Sequence, residues 1–279
     1  MSSFLVFGQS FSDPYEFSGS SVTGTARFSS MGGAFSALGG DGSAISLNPA
    51  GAAVFLNNRI DGSLAISSVG LGILDSTSFA TSLNMPAFNV VFTSPVANSP
   101  WKTVNFGLAT NRQRLLDREL SYRSDFNYQN SQNPGNSLVG FFLNRAQGFT
   151  AADLESLTAD PYAEAAYYAF VINPDTNNPG NYTSPALGPG QQEIKLTQGG
   201  RISDYEIFVS GNYNNRFYLG ASIGVSTLDL DEQFIATESY QDSSLREVEL
   251  TENAEHLGAS LAFKIGGIVR LTESLRVSA

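Results

Sequence analysis

The sequence predicts an all-β fold, an antiparallel transmembrane β-barrel of the outer-membrane type with an N-terminal hatch (plug) and a helical extracellular loop. Three observations carry that expectation. From Ile60 onward, segments of the chain alternate apolar and polar residues with a period of two, as strands do when one face meets lipid and the other a polar interior. The chain has 279 residues and no apolar run of about eighteen, so only a closed barrel can cross a bilayer with its backbone hydrogen bonds satisfied. Residues 10–56, ahead of the first strand, are rich in Gly, Ser and Ala instead, and they end in Gly39-Gly40-Asp41-Gly42 and Asn48-Pro49-Ala50-Gly51.

Taken in order, residues 1–9 contain Phe4-Leu5-Val6-Phe7. This is either the remnant of a secretory h-region or the first piece of the mature chain. Residues 10–56 are expected to form the plug, with one short helix between Arg27 and Leu38 and turns at the Gly-Gly and Asp-Gly pairs. Residues 57–279 are expected to form an incomplete barrel. Ile60, Gly62, Leu64 and Ile66 fall on one face of the first strand. Phe88, Val90 and Phe92 repeat the pattern on a second strand, as do Val104, Phe106 and Leu108 on a third.

Residues 113–200 break the alternation and read as a helical extracellular insert. Leu138, Phe141 and Phe142 stand at helical spacing, and Thr150 with Asp153 forms a capping box. Asp160-Pro161 starts a further helix whose stripe is Ala163, Ala166, Tyr167 and Phe170. The run Arg112, Arg114, Arg118 and Arg123 alternates with acids and is expected to continue the third strand above the bilayer, with cross-strand charge pairing. Strands resume at Tyr205–Tyr213, turn at Asn214-Asn215, run through Phe217–Val225 toward Tyr240, and return through Leu257–Ile265 to a turn at Thr272–Ser274. Short turns then fall on one side and the long insert on the other, as in membrane barrels. A further strand begins near Ala279, so the chain is expected to be part of a longer barrel.

Composition narrows the function classes. The formal net charge is -11 with scattered cations, which argues against a nucleic-acid partner. There is no cysteine, hence no thiolate chemistry and no disulfide. His256 is the one histidine. It sits on a polar strand face with no recognisable nucleophile near it, so no enzyme activity is predicted; a membrane lipid hydrolase would need it. Asp229, Asp231 and Glu232, and Glu247, Glu249, Glu252 and Glu255, read as solvated loop faces rather than metal ligands. No cofactor or metal is expected.

The run GTARFSSMGGAFSALGGDGSAISLNPAG, Gly24 to Gly51, resembles the N-terminal hatch of outer-membrane transporters of the FadL and TodX family, in versions similar to those of Bacteroidetes. Asn48-Pro49-Ala50 matches that hatch's NPA motif, and Gly32, Gly33 and Asp41 stand where similar chains have Gly and Asp. The resemblance implies a monomeric barrel of about fourteen strands, roughly half of it present here, in a bacterial outer membrane among lipid and lipopolysaccharide. It also implies passive, hatch-gated diffusion of hydrophobic compounds such as long-chain fatty acids, with exit sideways through the wall. In the hatch, Asn48 is expected to cap a turn, Pro49 to fix it, and Ala50 and Gly51 to approach the wall closely. Leu138, Phe141, Phe142, Tyr167 and Phe170 are the candidate capture residues, on an insert that either forms a docking groove or packs on itself. The alternative class is a non-transporting surface barrel, structural or adhesive.

Overall fold

The computed structural model describes residues 21–73, 76–128, 137–178, 180–186, 188–241 and 243–279. The expected signal remnant and the start of the plug lie outside them. The dominant element is a curled, half-barrel antiparallel sheet. Its strands are β1 (Arg59–Ile73), β2 (Ser76–Pro95), β3 (Trp101–Leu115), β4 (Arg118–Tyr128), β7 (Gly188–Tyr213), β8 (Phe217–Tyr240), β9 (Glu247–Arg270) and β10 (Arg276–Ser278). The order is β1-β2-β3-β7-β8-β9-β10. β3 pairs with Arg201–Tyr213 of β7 and β4 with Gly188–Gln198. The two therefore occupy one lateral position, and the basic run does continue the third strand. Arg123 Nη2 lies 2.5 Å from Glu193 Oε2 across that pair.

Burial along the strands is inverted relative to a water-soluble sheet. Ile265, Leu64 and Leu83 are 89%, 77% and 74% exposed, while Asn105 and Glu206 are 0% and 5% exposed. The period of two holds; the apolar residues are simply on the uncovered side. At one end of the wall, Trp101 and Tyr213 meet edge-on at 5.3 Å, and the Asn214-Asn215 turn takes positive φ at both residues, the type I′ geometry that Asn tolerates.

β2 begins at Ser76, well before the alternation at Phe88. The cause is a bulge: Ser63 pairs with Ala87 but Ala65 with Asn84, so Leu64 faces both Met85 and Pro86. Pro86 has no N–H for a ladder and is tolerated at such a bulge. The extra residue switches the outward set from Phe79, Leu83 and Met85 to Phe88 and Phe92, all exposed, which hides the period in the sequence.

The interval 113–200 is helical only in its middle. Its helices are α2 (Leu138–Ala146), α3 (Ala151–Glu155) and α4 (Pro161–Tyr168), following α1 (Ala26–Ser30) of the plug region. Short strands β5 (Asn173–Pro174) and β6 (Tyr182–Thr183) pair with each other. The Thr150–Asp153 capping box is present, and Asp160 caps α4 with Pro161 in its first turn. These helices share a core with Ala236, Tyr240 and Val248, so the insert sits on the extensions of β8 and β9.

Candidate functional site

Residues 21–57 lie against the polar face of the sheet. They reach every part of it: Ala26 N–H donates to Ser63 Oγ on β1, Asn105 Nδ2 on β3 donates to the Ala52 and Phe55 carbonyls, and Arg276 Nη1 on β10 donates to the Leu38 carbonyl. One short segment can touch both ends of a curled sheet only from its concave side.

Two 3-10 turns do most of the packing, Gly42–Ser46 and Pro49–Val54. Asp41 caps the first: its Oδ1 accepts from Ser43 N–H at 3.0 Å and from Thr25 Oγ1 at 2.8 Å, which ties this turn to the cap of α1. Asn48 caps the second, with Oδ1 accepting from Ala50 N–H at 2.9 Å and Pro49 in the first turn. Asn48 Nδ2 also donates to Ser36 O at 3.1 Å and to Gly267 O of β9 at 3.3 Å. One side chain thus holds the turn, the plug and the wall together.

Ala50 packs with Ala53, Tyr218 and Ile268, so it does approach the wall. Gly51 does not. A Cβ at Gly51 would lie nearest Gly39, 3.4 Å away, so its contact is internal to the plug, opposite a Gly39 that needs a positive φ of 59°. The glycines that permit close approach belong to the wall. Gly220 and Gly266 face each other across β8 and β9; a Cβ on Gly220 would strike Pro49, and one on Gly266 would strike Asn48. Neither glycine is signalled by the sequence alone, since each falls in phase on the inward face of its strand.

An ion pair reinforces the contact. Lys264 Nζ on β9 lies 2.5 Å from Glu206 Oε1 on β7 and donates to Ser46 O at 2.9 Å. Ser222 Oγ donates to the other Glu206 oxygen at 2.9 Å. A buried carboxylate is tolerable with such partners and costly without them.

The capture candidates divide. Leu138 and Phe142 are buried in the insert's own core, Phe141 and Tyr167 are partly buried against it, and Phe170 is exposed. α4 ends at Tyr168, so Phe170 is not on the expected stripe; it follows the C-cap at a φ of 57°. The insert's fastening was not foreseen either. Glu238 of β8, fully buried, accepts from Leu138 N–H at 2.5 Å and Val139 N–H at 3.4 Å, the first turn of α2. Gln192 Nε2 and Tyr240 OH donate to it at 2.8 and 2.6 Å. A carboxylate at a helix N-terminus satisfies orphan donors and the helix dipole together.

No protein-family model, no curated protein and no solved structure matches the chain.

A seam completes that geometry. The β2–β3 ladder stops at Ala87 paired with Asn111. Beyond it β4 pairs with β7 alone, and Ser121 N–H donates to Ser78 Oγ across the gap at 3.1 Å. Residues 21–23 reach the end of β3 at this seam, where Thr23 Oγ1 donates to Arg112 O and Ser21 N–H to Gln113 O. His256 pairs in register with Leu230 of β8. Among the described residues no group of His, Cys, Asp or Glu is placed to hold a metal, and no helix is long and apolar enough to cross a membrane.

Proposed function

We propose that this chain is part of an outer-membrane barrel that admits hydrophobic compounds, such as long-chain fatty acids, by passive diffusion past a plug. The observation that carries the reading is the inverted wall, apolar outside and polar where residues 21–57 sit. In water such a wall would leave a row of large aliphatic side chains uncovered; in a bilayer it is the stable arrangement. The outward run from Phe217 to Thr227 on β8 covers roughly 25 Å along the membrane normal at an ordinary barrel tilt, the height of an apolar band. Asp229 and Asp231 follow on the same face. The extensions of β8 and β9 beyond them carry the insert on the outer side.

In this reading residues 21–57 are the hatch, and the resemblance of Gly24–Gly51 to a transporter hatch is supported by how tightly Asn48 and Pro49 engage the wall. The seam beyond the β2–β3 ladder, between β2 and β4, is the sideways exit, because there a solute leaves the interior directly into lipid. Apolar solutes need such a route, since the polar outer layer, not the bilayer core, is their barrier. The competing reading, a non-transporting adhesive barrel, is favoured by exposed Leu157, Tyr168 and Phe170 at the insert's surface. Vesicles reconstituted with the complete protein and loaded from outside with a labelled fatty acid decide between them. Uptake above that of empty vesicles supports transport; equal uptake overturns it.

A further inference from the structure

A cavity of about 290 Å³ lies at the seam, lined by Ser82, Leu83 and Asn84 of β2 and by Arg112, Leu115 and Asp117 at the end of β3. Arg201, Asp229 and Asp231 close it from the β7 and β8 side. Arg112 stands out among these residues. Its Nε and Nη1 atoms are shielded from solvent and have no acceptor among the described residues, although buried donors are nearly always satisfied. Three of the other charged groups are engaged: Asp117 Oδ1 accepts from Gly200 N–H at 3.0 Å, and Arg201 lies 3.9 Å from Asp229.

The position follows from the bulge. Pro86 ends the β2–β3 ladder, so Arg112, which pairs with Ser203 of β7 on one side, has no ladder partner on β2 and borders there the gap that Leu83, 74% exposed, lines on the lipid side. An occupant thus finds hydrogen-bond donors at one end and an apolar surface leading away from them. That is the shape of an amphiphile's site.

The charges select the head. Two arginines face three aspartates, so a carboxylate or phosphate would add a further negative charge to a site that already has an excess of one. Like charges this close disfavour ionised forms. A hydroxyl or ester carbonyl supplies acceptor lone pairs without charge.

We infer that the seam cavity binds the uncharged oxygen head of an amphiphile, an alcohol or ester, with Arg112 as its donor and the tail lying along Leu83. The inference rests on the exit role given to the seam above, and it makes that exit selective for neutral, oxygen-bearing solutes, the protonated form of a fatty acid among them, over their anions.

The complete protein in nanodiscs is titrated with decanol, decanoate at pH 8 and decane, three probes with one tail length. Decanol is expected to bind most tightly, and Arg112→Met to weaken it about tenfold, the loss of one to two buried hydrogen bonds, while leaving decane unchanged. Leu83→Trp, which fills the cavity from β2 with Arg112 left in place, is expected to weaken decanol as well. Heat-modified gel mobility verifies that each variant remains a folded barrel. Decanoate binding more tightly than decanol, or decanol binding unaltered in both variants, overturns the inference, the second because water alone then satisfies Arg112. Uptake is scored separately. Wild-type vesicles whose uptake of every probe equals that of empty vesicles sink the transport reading, whereas uptake above that level with no preference for decanol sinks only this one.

Discussion

Replacing Glu238 tests whether the insert is held to the wall by one carboxylate. Its Oε1 receives Leu138 N–H and Gln192 Nε2, and its Oε2 receives Tyr240 OH and Val139 N–H. In Glu238→Gln the amide is best placed on the Oε2 side, where Tyr240 OH can turn and accept. The variant then loses the long 3.4 Å bond from Val139 and the charge at the helix start, together about 1.5 kcal/mol. Glu238→Ala strands three well-formed donors in a fully buried site, about 4 kcal/mol once partial water entry is allowed. Hydrogen exchange of α2 amides, read by mass spectrometry on the complete protein, reports local opening. Protection should fall about tenfold in the Gln variant and about a thousandfold in the Ala variant, with β8 and β9 near Phe217 and Val269 unaffected. Unchanged protection of α2 in Glu238→Ala would show that the shared core alone anchors the insert, and the fastening argument would fail.

Gly266→Leu should displace Asn48 and Pro49 and raise protease cleavage between Gly39 and Phe55, with the barrel's heat-modified mobility intact; an uncleaved plug would contradict the close contact. Lys264→Met leaves Glu206 buried without its cation and should cost about 3 kcal/mol in thermal or denaturant unfolding, and adding Glu206→Gln should recover part of it; equal stability of both variants to wild type refutes the ion pair. The Asp153 carboxyl is held below its ordinary value, first by the Thr150 backbone N–H and then by the Thr150 hydroxyl. A depressed folded value means that its cap is fully present above the ordinary carboxylate range and is lost as pH falls through the lowered value. Carbon-13 titration of Asp153 should therefore show a midpoint below that of a free aspartate, and a midpoint at or above it excludes the capping box as the cause.

The strands were legible because alternation survives whichever face is buried. Ile60–Ile66, Phe88–Phe92 and Leu257–Ile265 carry it without interruption, and the caps at Thr150 and Asp160 were legible because capping depends on neighbours in sequence. What escaped depends on registers. Met85-Pro86 looks like a strand breaker in one dimension and is a bulge in three, so the first half of β2 was lost. Phe170 continues the spacing of α4 by pattern, yet the helix stops two residues earlier. Gly220 and Gly266 mean nothing singly; their role appears only when the β8–β9 register sets them opposite each other and beneath Asn48.

The same bulge links the fold to the function proposed for it. A proline in an otherwise continuous strand ends one ladder, and everything at the seam follows: the gap between β2 and β4, the unpaired Arg112 donors, and the access that Ser21 and Thr23 gain to the Arg112 and Gln113 carbonyls. If the seam is the exit, its closure is controlled by a few hydrogen bonds from the plug's leading end rather than by the wall itself. Deleting Met85 together with Pro86→Val should remove the bulge, restore one alternation through β2 and extend its ladder along β3. Uptake should then fall while the Asn48 and Lys264 contacts, which lie on other strands, hold the plug in place. Undiminished uptake in that variant would mean that solute leaves elsewhere, and that the bulge shapes the wall without opening it.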